Sequence, residues 1–245
     1  MKEKNHYFCG KFLKMILCLE TATPSCSVAL IHDGNVLQCE EEPKGQNHSE
    51  KLTLFIDSVM KKAGVRFNQL DAVAVSMGPG SYTGLRIGVS TAKGLCYATD
   101  APLIAIDTLH AMAFGGKTLI HNDNDSDIFI PMIDARRMEV YAEMFDNNLN
   151  KIKDTQAIIV DADSFSELKA SHDIFLFGDG ADKLSSLFYN EQKIHVINDF
   201  YCSAKHMNIL AQKKLDARDF VDVAYFEPFY LKDFVPGKPT VKGLN

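Results

Sequence analysis

Short apolar runs alternate along the chain with amphipathic stretches, the pattern of an α/β protein. Met15–Leu19 is continuously apolar and reads as a buried strand, and Cys26–Ile31 as a second. Asp33-Gly34, both tolerant of positive φ, supplies a hairpin turn into a third strand from Asn35 to about Glu41. After a polar connection from Glu41 to Gln46, Asn47 and Glu50 stand at capping-box spacing. A helix over Ser49–Ala63 follows, with Leu52, Phe55, Ile56, Val59 and Met60 on one stripe and Gly64 to close it. Asp71–Met77 reads as a central strand running into Gly78-Pro79-Gly80 and a helix over about Thr83–Thr99. That helix is rich in small residues: Gly84, Gly88, Ser90, Ala92 and Gly94. Each helical glycine costs roughly 1 kcal/mol relative to alanine. The glycines therefore imply close approach of another helix or of a ligand. Leu103–Ile106 is a further short strand, and a helix begins near Thr108.

The polar tract His121–Asp127 marks the boundary between two lobes. Beyond it Ile128–Ile133, Glu139–Phe145 and about Ile152–Val160 read as strands, and Ser164–Ala170 as a helix. Ile174–Phe177 then runs into Gly178-Asp179-Gly180 and another helix. Three strands, a helix, a strand, a Gly-x-Gly turn and a helix thus occur in both halves, a duplicated layout of low residue identity. Ser203–Leu215 reads as a last helix, expected to pack back on the first lobe, and Glu227–Asn245 as an extended, proline-bearing tail. The expected division is an extension over 1–14, a first lobe over 15–120, and a second lobe with tail over 121–245.

Composition narrows the function classes. The 245 residues carry a formal net charge of −6, which opposes strong unassisted binding to a phosphate backbone. None of the six cysteines (Cys9, Cys18, Cys26, Cys39, Cys96, Cys202) is paired at C-x-x-C spacing. Reduced core thiols are expected rather than a zinc site or disulfides. The basic, aromatic start lacks the apolar centre of a signal peptide, and no apolar run is long enough to span a bilayer. A cytoplasmic protein is expected.

The turn Gly78-Pro-Gly-Ser-Tyr-Thr-Gly places backbone N–H groups at a helix N-terminus. Such a place suits an anion, typically phosphate, but the sequence has neither the lysine of a P-loop nor G-x-G-x-x-G spacing. The other reading is a tight turn whose glycines let strand and helix pack. At Glu20, with Thr21 and Thr23, a nucleotide-loop reading stands beside that of a hydrogen-bonded strand-end turn. Asp134, Arg136, Arg137 and Glu139 form a charged cluster between two strands, either a partner or substrate contact or a solvated hairpin tip. There is no nucleophile elbow and no H-E-x-x-H.

The ordered set Met15-Ile-Leu-Cys-Leu-Glu-Thr-Ala-Thr, Ser27-Val-Ala-Leu, His48-Ser-Glu, Gly78-Pro-Gly-Ser-Tyr-Thr-Gly-Leu-Arg-Ile-Gly and Ala92-Lys-Gly-Leu resembles the TsaB (YeaZ) family. The closing Glu227-Pro-Phe-Tyr-Leu-Lys is similar to that family's Pro-x-Tyr-Leu-Arg, with Lys232 in place of arginine. The resemblance is dense from Met15 to about Ala113 and weak beyond, apart from the closing motif. It implies a two-lobed actin-like ATPase (ASKHA) fold with duplicated ribonuclease-H-like lobes. It also implies a non-catalytic partner of a TsaD-like transferase that makes N6-threonylcarbamoyladenosine next to the tRNA anticodon. A TsaE-like ATPase joins that complex, tRNA is reached only through it, and the isolated chain can form a homodimer. No intrinsic cofactor is implied, although ATP or ADP can sit in the assembled complex.

TsaD-like paralogues carry a metal-binding His-x-x-x-His after the strand matching Leu103–Ile106. Here Phe114 stands four residues after His110, so no metal site and no catalytic residue is expected. The expected docking residues are Leu52, Phe55, Ile56, Val59, Gly84, Gly88, Ala92 and Cys96. Glu20, Thr21, Gly78, Gly80, Ser81, Thr83, Gly178 and Gly180 are candidate vestigial phosphate loops. The competing reading is a stand-alone ATPase or phosphotransferase of the actin-like superfamily.

Overall fold

The computed structural model describes residues 14–45, 47–120 and 124–232. The expected extension (apart from Lys14), the start of the His121–Asp127 tract and the tail beyond Lys232 lie outside them. The first lobe is built on β1 (Met15–Glu20), β2 (Cys26–His32), β3 (Asn35–Glu42), β4 (Ala72–Gly78) and β5 (Leu103–Asp107). Their spatial order is β3-β2-β1-β4-β5. The hairpin strands pair antiparallel, whereas β4 and β5 are parallel to β1. The second lobe repeats this order with β6 (Ile128–Asp134), β7 (Glu139–Phe145), β8 (Lys151–Ile159), β9 (Ile174–Phe177) and β10 (Ile194–Ile197). Its order is β8-β7-β6-β9-β10, so the duplicated layout of the sequence is a duplicated topology.

The continuous apolar strands follow from burial on both faces of the first sheet. Leu17, Leu19, Val28, Leu30, Val73 and Val75 meet α1 (His48–Ala63) and α2 (Tyr82–Thr99) on one side. Alternate residues Ile16, Cys18, Ala29, Ile31 and Ala74 face the other way, onto Ala204, Met207 and Ala211. Met207 closes a short 3₁₀ turn and Ala211 lies in α4 (Asn208–Ala217), so the returning chain supplies the second cover of the first sheet. Helix α3 (Thr108–Leu119) lies between the sheets, with Ala111 in the first core and Leu109, Met112 and Ala113 in the second. A side chain at Gly115 or Gly116 would collide with the ring of His206 or of Phe177, respectively.

Several local features differ from expectation. Asn47 makes no side-chain cap; instead His48 Nε2 lies 2.9 Å from the Thr23 carbonyl oxygen and 3.2 Å from that of Ser25, tying α1 to the β1–β2 loop. The helix expected over Ser164–Ala170 is a set of turns ending in a 3₁₀ turn at Leu168–Ala170. Its start is captured by local bonds: the Asp161 carboxylate accepts from the Asp163 N–H and the Ser164 hydroxyl, and Ser164 Oγ accepts from the Asp161 N–H. Such bonds compete with helical ones. The helix expected after Gly180 is likewise a 3₁₀ turn, Asp182–Leu184; Ser185 Oγ bonds back to the Asp182 carbonyl. The short strand β10 has no counterpart among the expected elements.

One carboxylate fastens the returning segment to the first sheet. Glu41 on β3 accepts from Tyr201 Oη (3.0 Å), Ser203 Oγ (2.7 Å) and Lys205 Nζ (3.0 Å). Burial opposes its ionisation, but the bonds from Ser203 and Lys205 outweigh that and hold its pKa below the usual carboxylate value. A depressed folded-state pKa stabilises above the unfolded value and is lost as pH falls through the folded one. Glu41→Gln is therefore expected to cost about 1–3 kcal/mol at neutral pH. The difference from the parent protein should shrink as the carboxylate protonates below about pH 4; urea denaturation at a series of pH values measures both.

Candidate functional site at the inter-lobe cleft

The glycine turn between β4 and α2 lies at the floor of a cleft between the lobes. Gly78 has φ 117°, a left-handed conformation that glycine adopts without strain. A Cβ on Gly80 would overlap the Ala22 carbonyl, one on Gly84 the Thr21 carbonyl, and one on Gly88 the Thr21 hydroxyl. The β1–β2 loop therefore sits directly on the first turns of α2. The bonds match the packing: Ser81 N–H donates to Ala22 O (2.7 Å), and Thr21 Oγ1 donates to Gly84 O (2.8 Å). Ser81 Oγ caps the helix by accepting from the Gly84 N–H, and Gly78 N–H donates to Thr108 Oγ1. The N–H groups of Gly78, Ser81 and Gly84 are thus engaged by oxygens of the chain itself, while Gly80, Tyr82 and Thr83 line the cleft.

Glu20 is completely buried beneath this loop. Its Oε1 accepts from the Ala22 N–H (2.6 Å) and Ser76 Oγ (2.9 Å), and its Oε2 from Cys202 Sγ (3.1 Å). Burial raises its pKa, and those bonds only partly offset the rise. The carboxyl thus faces inward as a local organiser of the loop. In the second lobe, Gly178 has φ 107°, and a Cβ there would meet the Met132 carbonyl. The Gly180 N–H donates to that same carbonyl. Both glycine turns are closed by neighbouring backbone.

The small-residue stripe of α2, expected to form part of a docking surface, faces the chain's own core. Gly84, Gly88, Ala92 and Cys96 are buried against the chain's own loop and sheet, as are Leu52, Ile56 and Val59 of α1; Phe55 is half-buried. The glycines admit Thr21 and Val75, not a second helix. The outward surface of the helix pair is formed by Leu54, Arg86, Ser90, Gly94 and Tyr97, with Leu54 63% and Tyr97 87% exposed. A side chain at Gly94 would meet nothing within 4 Å.

His110 stacks on Phe145 at 4.9 Å and contacts Phe114. Burial lowers its pKa despite nearby Asp107, whose carboxylate caps α3 by accepting from the His110 N–H. Among the described residues no group of three or more histidine, cysteine, aspartate or glutamate side chains is placed to hold a metal. The five described cysteines are free thiols, Cys26 being pushed up to about 12 by burial. No helix of the described residues is long and apolar enough to cross a membrane.

The cleft has a volume of about 560 Å³ and is lined by both lobes and by the chain's closing segment. That segment first adds to the edge of β5, with Val221 N–H donating to Leu103 O (3.0 Å). It then follows α2, where Lys93 Nζ bonds the Ala224 carbonyl. Phe229 N–H donates to Met77 O (2.7 Å), and the Phe229 carbonyl lies over Gly78. Tyr230 packs on Tyr82 with ring centroids 4.7 Å apart, and Lys232 Nζ reaches Glu139 Oε1 of the second lobe at 2.5 Å. The sequence implies only an extended tail here; its course as a strap across the cleft depends on contacts with residues far away in the chain.

A duplicated ribonuclease-H-like topology with a cleft between the lobes defines the two-lobed actin-like (ASKHA) fold. A family model described as TsaD: tRNA N6-adenosine threonylcarbamoyltransferase matches residues 42–234, and the chain belongs to this family, on its TsaB side. A Haemophilus influenzae protein named tRNA threonylcarbamoyladenosine biosynthesis protein TsaB is 38% identical over 51% of this chain and 51% of its own length. The protein of that name in Buchnera aphidicola is 28% identical over 82% of this chain and 93% of its length. The chain spans about half the length of the Haemophilus relative and 62% of an Escherichia coli one. The crystal structure of YeaZ from Pseudomonas aeruginosa shares the fold, with TM-score 0.72 and 24% identity over 89% of this chain and all of that one.

The inward glycine stripe sets a first stability expectation for the site. Gly88→Ala should cost about 1–3 kcal/mol through overpacking against Thr21, and a charge there should unfold the lobe rather than merely block docking. Urea unfolding of both variants measures this.

Proposed function

We propose that the chain is a non-catalytic partner subunit of a TsaD-like transferase, acting in formation of N6-threonylcarbamoyladenosine next to the tRNA anticodon. The observation that supports this reading is the packing of the glycine turn at the start of α2 against the chain's own backbone. Ser81 donates to the Ala22 carbonyl and the Phe229 carbonyl covers Gly78, so the turn is engaged in holding its own lobe together. The names of the relatives supply the pathway. In this reading the outer face of α1 and α2, with Leu54, Gly94 and Tyr97, docks the transferase and in isolation a second copy. A TsaE-like ATPase joins the pair, ATP or ADP binds in the assembled complex rather than to the lone chain, and tRNA is reached through the complex in the cytoplasm.

The test is co-purification with a TsaD-like protein, followed by assay of tRNA modification with and without this chain. Modification is expected to depend on it. Gly94→Arg should keep the monomer folded, with its circular dichroism spectrum retained and its Tm no lower, while weakening co-purification at least about tenfold, the scale of one missing interface anchor. Calorimetric titration of the lone chain with magnesium-ATP should show no tight binding. Tight binding with turnover would instead establish a stand-alone ATPase.

A further inference from the structure

The turn between β6 and β7 carries two adjacent arginines in a backbone conformation that arginine rarely adopts. Arg136 has φ 75° and Arg137 φ 50°, both left-handed, where glycine or asparagine is free of strain. The turn is firmly closed: Ala135 N–H donates to Glu139 O, Glu139 N–H to Arg136 O, and Arg136 N–H to the Asp134 carboxylate. Strained backbone of this kind persists where the surrounding structure enforces it, and it concentrates at functional sites.

The charges around the turn favour an anion. Asp134 is ion-paired with Lys183, and Glu139 with Lys232 of the strap. Asp179, which also lines the cleft, has its pKa pushed up to about 6 by burial and accepts from the Asp134 N–H. The nearby carboxylates thus have partners of their own, whereas neither the Arg136 nor the Arg137 guanidinium has an ion-pair partner among the described residues. Both arginines are exposed, and Arg136 lines the cleft. Aromatic rings line the same cleft: Tyr141 from the second lobe, and across it the Tyr82–Tyr230 pair, whose Tyr82 also lies 5.4 Å from the Arg86 guanidinium. Forked cationic donors beside aromatic faces suit an unpaired nucleic-acid strand, with guanidinium on phosphate and base on ring.

We propose that the Arg136–Arg137 turn is a phosphate contact for single-stranded RNA, placing an unpaired stretch of the modified tRNA at the mouth of the inter-lobe cleft. This rests on the function proposed above and names the part of this chain that touches the RNA within the complex. The broad surface stays acidic, so the turn adds to a grip that the partner mainly supplies.

The experiment uses the assembled complex of this chain with its TsaD-like partner and a fluorescein-labelled unmodified tRNA, followed by anisotropy at several salt concentrations. Replacing both residues (Arg136→Gly with Arg137→Gly) relieves the strained backbone, so the Tm of the chain should rise. RNA affinity should nevertheless fall about tenfold near 50 mM salt. The slope of log K against log salt should flatten by about 1.4–1.8, because two fewer phosphates are neutralised. The Arg136→Lys with Arg137→Lys variant, which keeps the charge, should recover part of the affinity. Magnesium-ATP in excess should not displace the RNA; displacement would assign the turn to free nucleotide and overturn the proposal. Unchanged RNA affinity and slope in the glycine variant would also overturn it while leaving the partner role standing. Loss of co-purification with RNA affinity per complex unchanged would make the turn a protein contact, again against the proposal. Failure of the unaltered complex to bind tRNA would instead sink the proposed function itself.

Discussion

The structure depends on a close contact between two pieces of backbone, the β1–β2 loop and the N-terminus of α2. The Thr21 and Ala22 carbonyls lie where side chains at Gly84 and Gly80 would otherwise be. From that loop, bonds radiate in every direction. Thr21 reaches α2, the Thr23 and Ser25 carbonyls meet His48 of α1, Ser25 Oγ reaches the Cys202 carbonyl, and Glu20 gathers Ser76 and Cys202. A helix N-terminus left with free donors is an invitation to an anion. Here the donor at Ser81 answers the Ala22 carbonyl, so part of that donor set is spent on holding the lobe together.

The two lobes share a topology but differ in what covers them. The first sheet is held between α1 and α2 on one face and the α4 region on the other. The outer face of the second sheet is covered mainly by turns and loops, with Phe165, Leu184 and Phe188 as apolar plugs. A paired-helix surface, which can present a continuous rigid face, therefore exists on the first lobe alone among the described residues. The second lobe contributes the strained arginine turn and, through Glu139, the anchorage of the strap.

Much of this was legible from local pattern. Strand positions followed from apolar runs, the Asp33-Gly34 hairpin from its residues, and the repeated Gly-x-Gly turns from spacing. The direction of the α2 stripe was not legible. Small residues at Gly84, Gly88, Ala92 and Cys96 are equally consistent with an outside helix and with an inside loop, and only the fold brings Thr21 to them. The absence of a regular helix at Ser164 reflects a contest between helix propensity and the Asp161–Ser164 bonds, which composition cannot arbitrate. Strand β10 (Ile194–Ile197) is interrupted by His195 and only Ile194 is fully buried, so it lacks the unbroken apolar run that marks β9. The strap combined a visible motif with an invisible path, because Phe229 meets Met77 and Lys232 meets Glu139 across long stretches of chain.

The return of α4 to the first sheet has a consequence for how the molecule is made. Ser27 Oγ accepts from the Ala204 N–H, and Ala204, Met207 and Ala211 cover the face formed by Ile16, Cys18, Ala29 and Ile31. When the first five strands leave the ribosome, that face has at most the cover of α3 through Ala111, and the α4 region arrives only after the second lobe has been synthesised. Long-range closure of this kind slows folding and leaves apolar surface open to aggregation meanwhile. The first half of the chain, which carries nearly all the family's recognisable motifs, thus has its core completed by one of the least recognisable stretches of the sequence.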